Sequence, residues 1–175
     1  MSKKGQIVEI PANSTIYNNK KKSFENKEEK FLDEIEKRKY SLFDGFIVGE
    51  HNNINDYKLG QRKGINIGGK SNPLYVIGID KNENRLFVGQ GNKHPGLFTN
   101  ILDFSNSEIN FIEQNFLNPT KYLVQSPIIN SDIYCKLYNY NNTIYLELSD
   151  NVHIDIVNYP INLLIENNIK AIIIK

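Results

Sequence analysis

Two hydrophobic periods divide this chain. Between 23 and about 40, Phe24, Phe31, Leu32 and Ile35 recur near helical spacing, and Lys27, Glu28, Lys30 and Glu34 are left for the opposite face. That pattern predicts a charged surface helix. Ahead of it, 5–10 predicts a short strand, and the polar run 11–22, ending Asn18-Asn19-Lys20-Lys21-Lys22, predicts a solvated loop. From Gly45 onward the period becomes that of β structure. Strands are predicted over 46–50, 74–80 and 84–89, with Lys81-Asn82-Glu83 as a hairpin loop. Beyond His94, further strands are predicted over 97–104, 108–113, 121–125, 132–138, 143–149, 152–157 and 169–174, separated by Asn and Asp clusters of the kind turns require.

Many short strands with little helix predict a mainly β protein with a small α+β portion. The α+β module is assigned to 1–98 and a small antiparallel β-barrel to 99–175. At 175 residues the chain is long enough to bury a core, and 39% hydrophobic against 23% charged residues is a globular composition. No apolar run approaches the 18 or so residues of a membrane span, and the polar start lacks a signal-peptide core, so a cytoplasmic or organelle-interior location is expected.

The net charge of +1 conceals an asymmetry: 17 Lys+Arg against 12 Asp+Glu over 1–95, but 4 against 8 over 96–175. A polyanionic partner is therefore expected to meet the first half. The single cysteine, Cys135, sits in an apolar stretch and reads as a packing residue. His51, His94 and His153 lack the spacing of metal ligands, so no metal site is expected.

The densest chemical signal is Gly60-Gln61-Arg62-Lys63-Gly64-Ile65-Asn66-Ile67-Gly68-Gly69, with four glycines in ten residues. Glycine lets the backbone take positive φ, Arg62 offers a planar fork of donors suited to phosphate, and Lys63 adds a mobile point charge. A glycine-bent turn with two solvated cations accounts for the same residues. The overlapping Gly64-Ile65-Asn66-Ile67-Gly68-Gly69-Lys70-Ser71 satisfies the phosphate-loop pattern formally. That pattern needs a buried strand before it and a helix after it. Here 52–63 is polar and the next apolar run, 74–80, is strand-like, so the match is read as accidental.

Several segments, in order and spacing, together resemble the central domain of the tRNA-specific 2-thiouridylases. They are Val48-Gly49-Glu50-His51, Leu59-Gly60-Gln61-Arg62-Lys63-Gly64, Ile67-Gly68-Gly69, Pro73-Leu74-Tyr75-Val76-Ile77, Val88-Gly89-Gln90-Gly91 and His94-Pro95-Gly96-Leu97. The resemblance covers about 5–104, in a form most similar to the Bacteroidetes version. It implies a tRNA-modifying system that activates the wobble uridine with ATP and delivers sulfur from a cysteine persulfide. The family's Ser-Gly-Gly-x-Asp-Ser loop and catalytic cysteine pair do not occur in these 175 residues. No catalytic residue and no cofactor is assigned to this chain, and ATP and the persulfide donor belong to a separate catalytic domain or subunit.

Over 96–175 the resemblance is to the family's C-terminal barrel. Of its Arg-Tyr-Arg-Gln run only the glutamine persists, in Tyr122-Leu123-Val124-Gln125, and a Gly-Gln pair that approaches tRNA corresponds to Val157-Asn158. The basic first half and the cations of the turn make Gly60, Gln61, Arg62, Lys63 and Gly64 the expected RNA-binding residues. His94, flanked by Lys93 and Pro95, is a candidate base or donor contact, with a structural role in the turn as the favoured alternative, and Gln125 is a barrel candidate. Three readings stay open. One is a tRNA-binding portion that positions the substrate for a catalytic domain elsewhere. Another is a divergent non-catalytic paralogue whose barrel binds protein or ribonucleoprotein, which the abundant Tyr and Phe would suit. The third is a stretch of an ordinary 2-thiouridylase.

Overall fold

The computed structural model describes residues 3–18, 22–112 and 121–174. Most of the predicted loop over 18–22 and the last residue of the strand predicted over 108–113 fall outside the described residues. The chain forms two compact units, Met1–Glu25 with Asp33–Phe98, and Asn26–Leu32 with Thr99–Lys175. The single α-helix among the described residues, α1 (Lys27–Glu36), contributes to both.

The first unit is a mixed four-stranded sheet. Its strands are β1 (Gly5–Glu9), β2 (Phe46–His51), β3 (Leu74–Asp80) and β4 (Arg85–Gln90), in the order β2-β1-β4-β3. Only β1 and β4 run parallel. The two-residue alternation of β1 sends Ile7 to one face and Val8 to the other, and both are fully buried. On the Ile7 face, Leu74, Val76, Leu86 and Val88 meet Ile54 and Ile65 from the long β2–β3 connection. A loop, not a second sheet or helix, therefore closes that side of the core.

Strand β2 lies at the edge and carries a bulge. Ile7 pairs with Gly49 but the next residue, Val8, pairs with Ile47, leaving Val48 as the extra residue. A bulge twists an edge away from further pairing, which suits a strand that also exposes Phe46 and Ile47.

The second unit is a curled, seven-stranded antiparallel sheet. Its strands are β5 (Phe98–Ser105), β6 (Ile109–Phe111), β7 (Lys121–Gln125), β8 (Ile133–Tyr140), β9 (Thr143–His153), β10 (Ile161–Ile165) and β11 (Asn168–Ile173), in the order β5-β9-β8-β7-β10-β11-β6. Its concave face holds Leu102, Tyr122, Cys135, Leu146, Leu163 and Ala171 in one core. Asn141 and Asn142 both take positive φ, 48° and 66°, and join β8 to β9 as a two-residue turn.

Two sequence expectations need correcting. The stretch 152–157 is strand only over its first two residues. Strand β9 ends at His153, whose side chain caps a 3-10 helix over Ile154–Asn158, so Val157 and Asn158 lie in that helix. Conversely, Ile161–Ile165 is a strand that alternation does not announce. A register shift between Leu163 and Leu164 buries both, erasing the polar alternate positions.

Helix α1 is shorter than the 23–40 pattern predicts. It begins after Asn26, whose Oδ1 accepts the Glu29 amide at 2.9 Å. Its first half is not merely solvated surface. Phe31 is fully buried among the rings of Tyr138, Tyr140 and Tyr145, at centroid distances of 5.0, 6.4 and 5.3 Å. Beside it, Lys27 and Lys30 each donate to Glu147 at 2.8 Å. Burial alone would push the Glu147 carboxyl up, but the two ammonium donors outweigh it and hold the group at about 2.

Because the folded value lies below the ordinary 4.5, Glu147 contributes stability that is complete above pH 4.5 and is lost as the pH falls towards 2. A shift of that size corresponds to about 3 kcal/mol at neutral pH. Glu147→Gln is expected to destabilise this unit by about 2–3 kcal/mol at pH 7, with the deficit closing between pH 4.5 and 2. Denaturant titrations followed by tyrosine fluorescence, which no tryptophan obscures, check this. A deficit independent of pH would contradict it.

Candidate nucleic-acid interface

The β2–β3 connection presents the residues that the sequence singled out. Its start is anchored by Ile54, buried beneath a 3-10 turn, and its middle by Ile65. Burying an isoleucine is worth roughly 1.5–3 kcal/mol, enough to seat a loop that has no strand or helix of its own. Between these anchors the chain bonds to the edge of β3. The Gly60 amide donates to Val76 O at 2.8 Å and the Val76 amide to Gln61 O at 2.9 Å.

Gly60 and Gly64 take φ of 78° and 86°, the left-handed region that glycine reaches without strain. Between them the Gln61 side chain acts as a staple. Its Oε1 accepts from the Lys58 amide at 2.9 Å, and its Nε2 donates to Lys63 O at 2.8 Å. The Tyr57 hydroxyl donates to Gly64 O at 3.3 Å. The outcome is a turn whose backbone is internally satisfied and whose Lys58, Arg62 and Lys63 are exposed. None of these three makes an ion pair with another described residue. Lys58 was not singled out from sequence. Its inclusion follows from the 58–61 turn, closed by the Gln61 amide bond to Lys58 O at 3.1 Å.

Of the two roles that the sequence leaves to His94, an RNA contact and a structural one in its turn, the surroundings fit the second. It is 2% exposed, its Nε2 donates to Ile10 O at 2.9 Å, and its Nδ1 accepts from the Gly96 amide at 3.1 Å. Both ring nitrogens are committed, and the Tyr17 ring meets it edge-on. Burial lowers its pKa from the ordinary imidazole value, although the Ile10 bond opposes this. His94 ties β1 to the turn after β4 and offers no donor at the surface. Gln125 lies exposed at the end of β7, and its Oε1 accepts from Asn162 at 3.5 Å. It belongs to the second unit, whereas the Gly60–Gly64 turn belongs to the first.

The formal phosphate-loop lysine is also accounted for. Lys70 Nζ lies 2.5 Å from Oε2 of Glu9, which is 5% exposed, and sits over the Phe46 ring at 5.4 Å. The Gln90 amide donates to Glu9 Oε1 at 3.2 Å and accepts from the Ser71 hydroxyl and the Asn72 amide. A strand, β3, follows the loop, so no helix N-terminus faces it. Lys70 closes the loop onto the sheet. Cys135 is 1% exposed, and burial pushes its thiol up to about 12, the opposite of what a thiolate nucleophile needs.

Residues 29–90 match the family described as tRNA methyl transferase PRC-barrel domain. The chain is 37% identical over 113 residues to the tRNA-specific 2-thiouridylase MnmA of Flavobacterium johnsoniae, covering 65% of this chain and 29% of that one. It is also 37% identical over 147 residues to the protein of the same name from Karelsulcia muelleri, covering 83% of this chain and 36% of that one. A shorter match, 48% identical over 56 residues, joins it to the Halalkalibacterium halodurans protein of that name. The matches thus span about a third of the length of the first two relatives.

Two expectations follow from this geometry. Calorimetric titration with Mg-ATP should give no saturable heat, because Lys70 is already neutralised by a buried carboxylate. Saturable binding abolished by Lys70→Ala would overturn that. Persulfide trapping should leave Cys135 unmodified in the folded protein, and modification there under native conditions would contradict its burial.

Proposed function

Because the chain belongs to the tRNA-specific 2-thiouridylase family, we propose that it binds tRNA and positions it for 2-thiolation of the wobble uridine by a catalytic domain lying outside these 175 residues. The observation that carries the reading is the turn over 58–64. It holds Lys58, Arg62 and Lys63 at the surface without ion-pair partners among the described residues, on a backbone fixed by Gln61 and by pairing to β3. Elsewhere many cations are spent internally, Lys22 and Lys37 on Asp33 and Lys70 on Glu9. Unpaired cations on a rigid turn suit a phosphate backbone, which rewards charge placed in advance.

Within this reading the residues divide by task. Arg62 bonds two phosphate oxygens through its planar guanidinium, and Lys58 and Lys63 flank it as point charges. Gln61, Gly60 and Gly64 shape the turn, and His94 holds the neighbouring turn in place. Nothing in these residues supplies the sulfur transfer. The only cysteine is buried and protonated, and no Ser-Gly-Gly-x-Asp-Ser loop is present to hold ATP.

A second reading has an observation of its own. Phe43 is 96% exposed, with Phe46 and Ile47 about half exposed beside it along β2. Apolar exposure of this kind favours a protein partner, such as a separate catalytic subunit or a ribonucleoprotein component.

The two readings separate in a salt titration of tRNA binding. Arg62→Ala and Lys63→Ala are each expected to lower the slope of log affinity against log salt by about 1. Arg62→Lys should weaken binding despite keeping the charge, and Lys81→Ala, in the β3–β4 turn, should match the wild type. Equal slopes in all five proteins would remove the proposed RNA face and favour the protein-binding reading.

A further inference from the structure

We propose that the outer face of the β7–β10 pair is a docking groove for an extended, neutral-to-basic peptide segment of a protein partner. Such a groove is independent of the tRNA reading and lies wholly within the second unit.

Two clefts meet on this face. One, of about 390 Å³, is lined by Gln125, Ser126, Pro127, Ile129, Pro160 and Asn162. The other, of about 320 Å³, shares Gln125 and Ile129 with it and continues to Leu123, Leu164 and Asp132. Strand pairing explains the continuity. Asn162 lies opposite Gln125 and Leu164 opposite Leu123 across the antiparallel pair, so the four side chains share a face. Alternation buries Tyr122 and Val124 on the other side of β7. From Leu123 to Pro127 the strand direction covers about 13 Å, room for about four residues of extended chain.

The groove is apolar at both ends and carries amides between. Pro127, Ile129 and Pro160 form one end, and Leu123 with Leu164 the other. In the middle the Asn162 amide donates to Gln125 Oε1 at 3.5 Å, a bond long enough to be weak. The pair therefore keeps free donors on Gln125 and an acceptor on Asn162, which match the C=O and N–H of a peptide group. Ser126 adds a hydroxyl that is buried and has no hydrogen-bond partner among the described residues.

Charge selects the kind of chain. Asp132 is the one ionisable residue that lines either cleft among the described residues. Lys121, further along the same face of β7, lines neither, and its ammonium lies 4.0 Å from the centroid of the Tyr134 ring. A phosphodiester chain brings a negative charge with every nucleotide and would meet a carboxylate here with no cation beside it. A run of neutral peptide groups, with a lysine or arginine at the Asp132 end, is complementary.

The test is a proton–nitrogen NMR titration of the full chain that follows the Gln125 and Asn162 carboxamides. The probes are the blocked tetrapeptide acetyl-Leu-Ala-Leu-Lys-N-methylamide, its counterpart ending in Glu, and hexauridylate. The lysine peptide should shift both carboxamides saturably and bind about two- to fivefold tighter than the glutamate peptide, the worth of an exposed ion pair. Asp132→Lys should reverse that order. Gln125→Leu/Asn162→Leu should weaken the lysine peptide about tenfold at an unchanged melting temperature. Carboxamide signals unmoved by the lysine peptide, or a double leucine variant with wild-type affinity, overturn the groove as a peptide site. Equal binding of the two peptides, or a preference for lysine that survives Asp132→Lys, overturns the assigned partner even where the double variant melts lower. Hexauridylate that shifts the same carboxamides and displaces the lysine peptide overturns it in favour of RNA.

Discussion

The arrangement of the candidate interface depends on the burial of Ile54 and Ile65 against the four-stranded sheet. The β2–β3 connection has no regular structure to hold its shape, so its conformation is set by the two places where it enters the core and by the bonds it makes to β3. Between those points Gln61 satisfies the turn from within, and the cations are left outside. A loop that closes a core cannot also swing away from it, and this converts a glycine-rich segment into a rigid presentation of charge.

Commitment of charge, more than its total, distinguishes the surfaces. A net charge of +1 says little, and even the division into +5 and −4 describes where residues occur along the chain, not what they face. Lys70 looks like a phosphate ligand in sequence and is a structural counter-ion to Glu9. Lys27 and Lys30 look like solvated helix residues and are the counter-ions of Glu147. With these set aside, Lys58, Arg62 and Lys63 remain grouped on one turn without ion-pair partners among the described residues.

Burial also decides the state of the single cysteine. A persulfide carrier needs an accessible thiol of lowered pKa, whereas Cys135 is packed against the concave face of the curled sheet and its pKa is raised. What these residues share with the 2-thiouridylases is the segment over 29–90 and its extension along the chain.

By itself the sequence determined the mainly β class, most strands, the Lys81-Asn82-Glu83 turn and the resemblance carried by the Gly60–Gly69 motifs. Each of these rests on local spacing: alternation, turn chemistry or a contiguous run. It also placed a strand over 74–80, where a phosphate loop would require a helix, and β3 stands there. Tertiary structure alone decided the rest. The sequence leaves His94 open between an RNA contact and a structural role in its turn; its burial is visible only once the Ile10 carbonyl, 84 residues earlier, is beside it. Strand β10 was hidden because a register shift buries adjacent leucines, and the 3-10 helix after β9 because its cap is a single side chain. Glu147 meets Lys27 and Lys30, 120 and 117 residues earlier in the chain. Spacing reports which face a residue shares with its neighbours, but only the folded chain shows which opposite charge arrives there first.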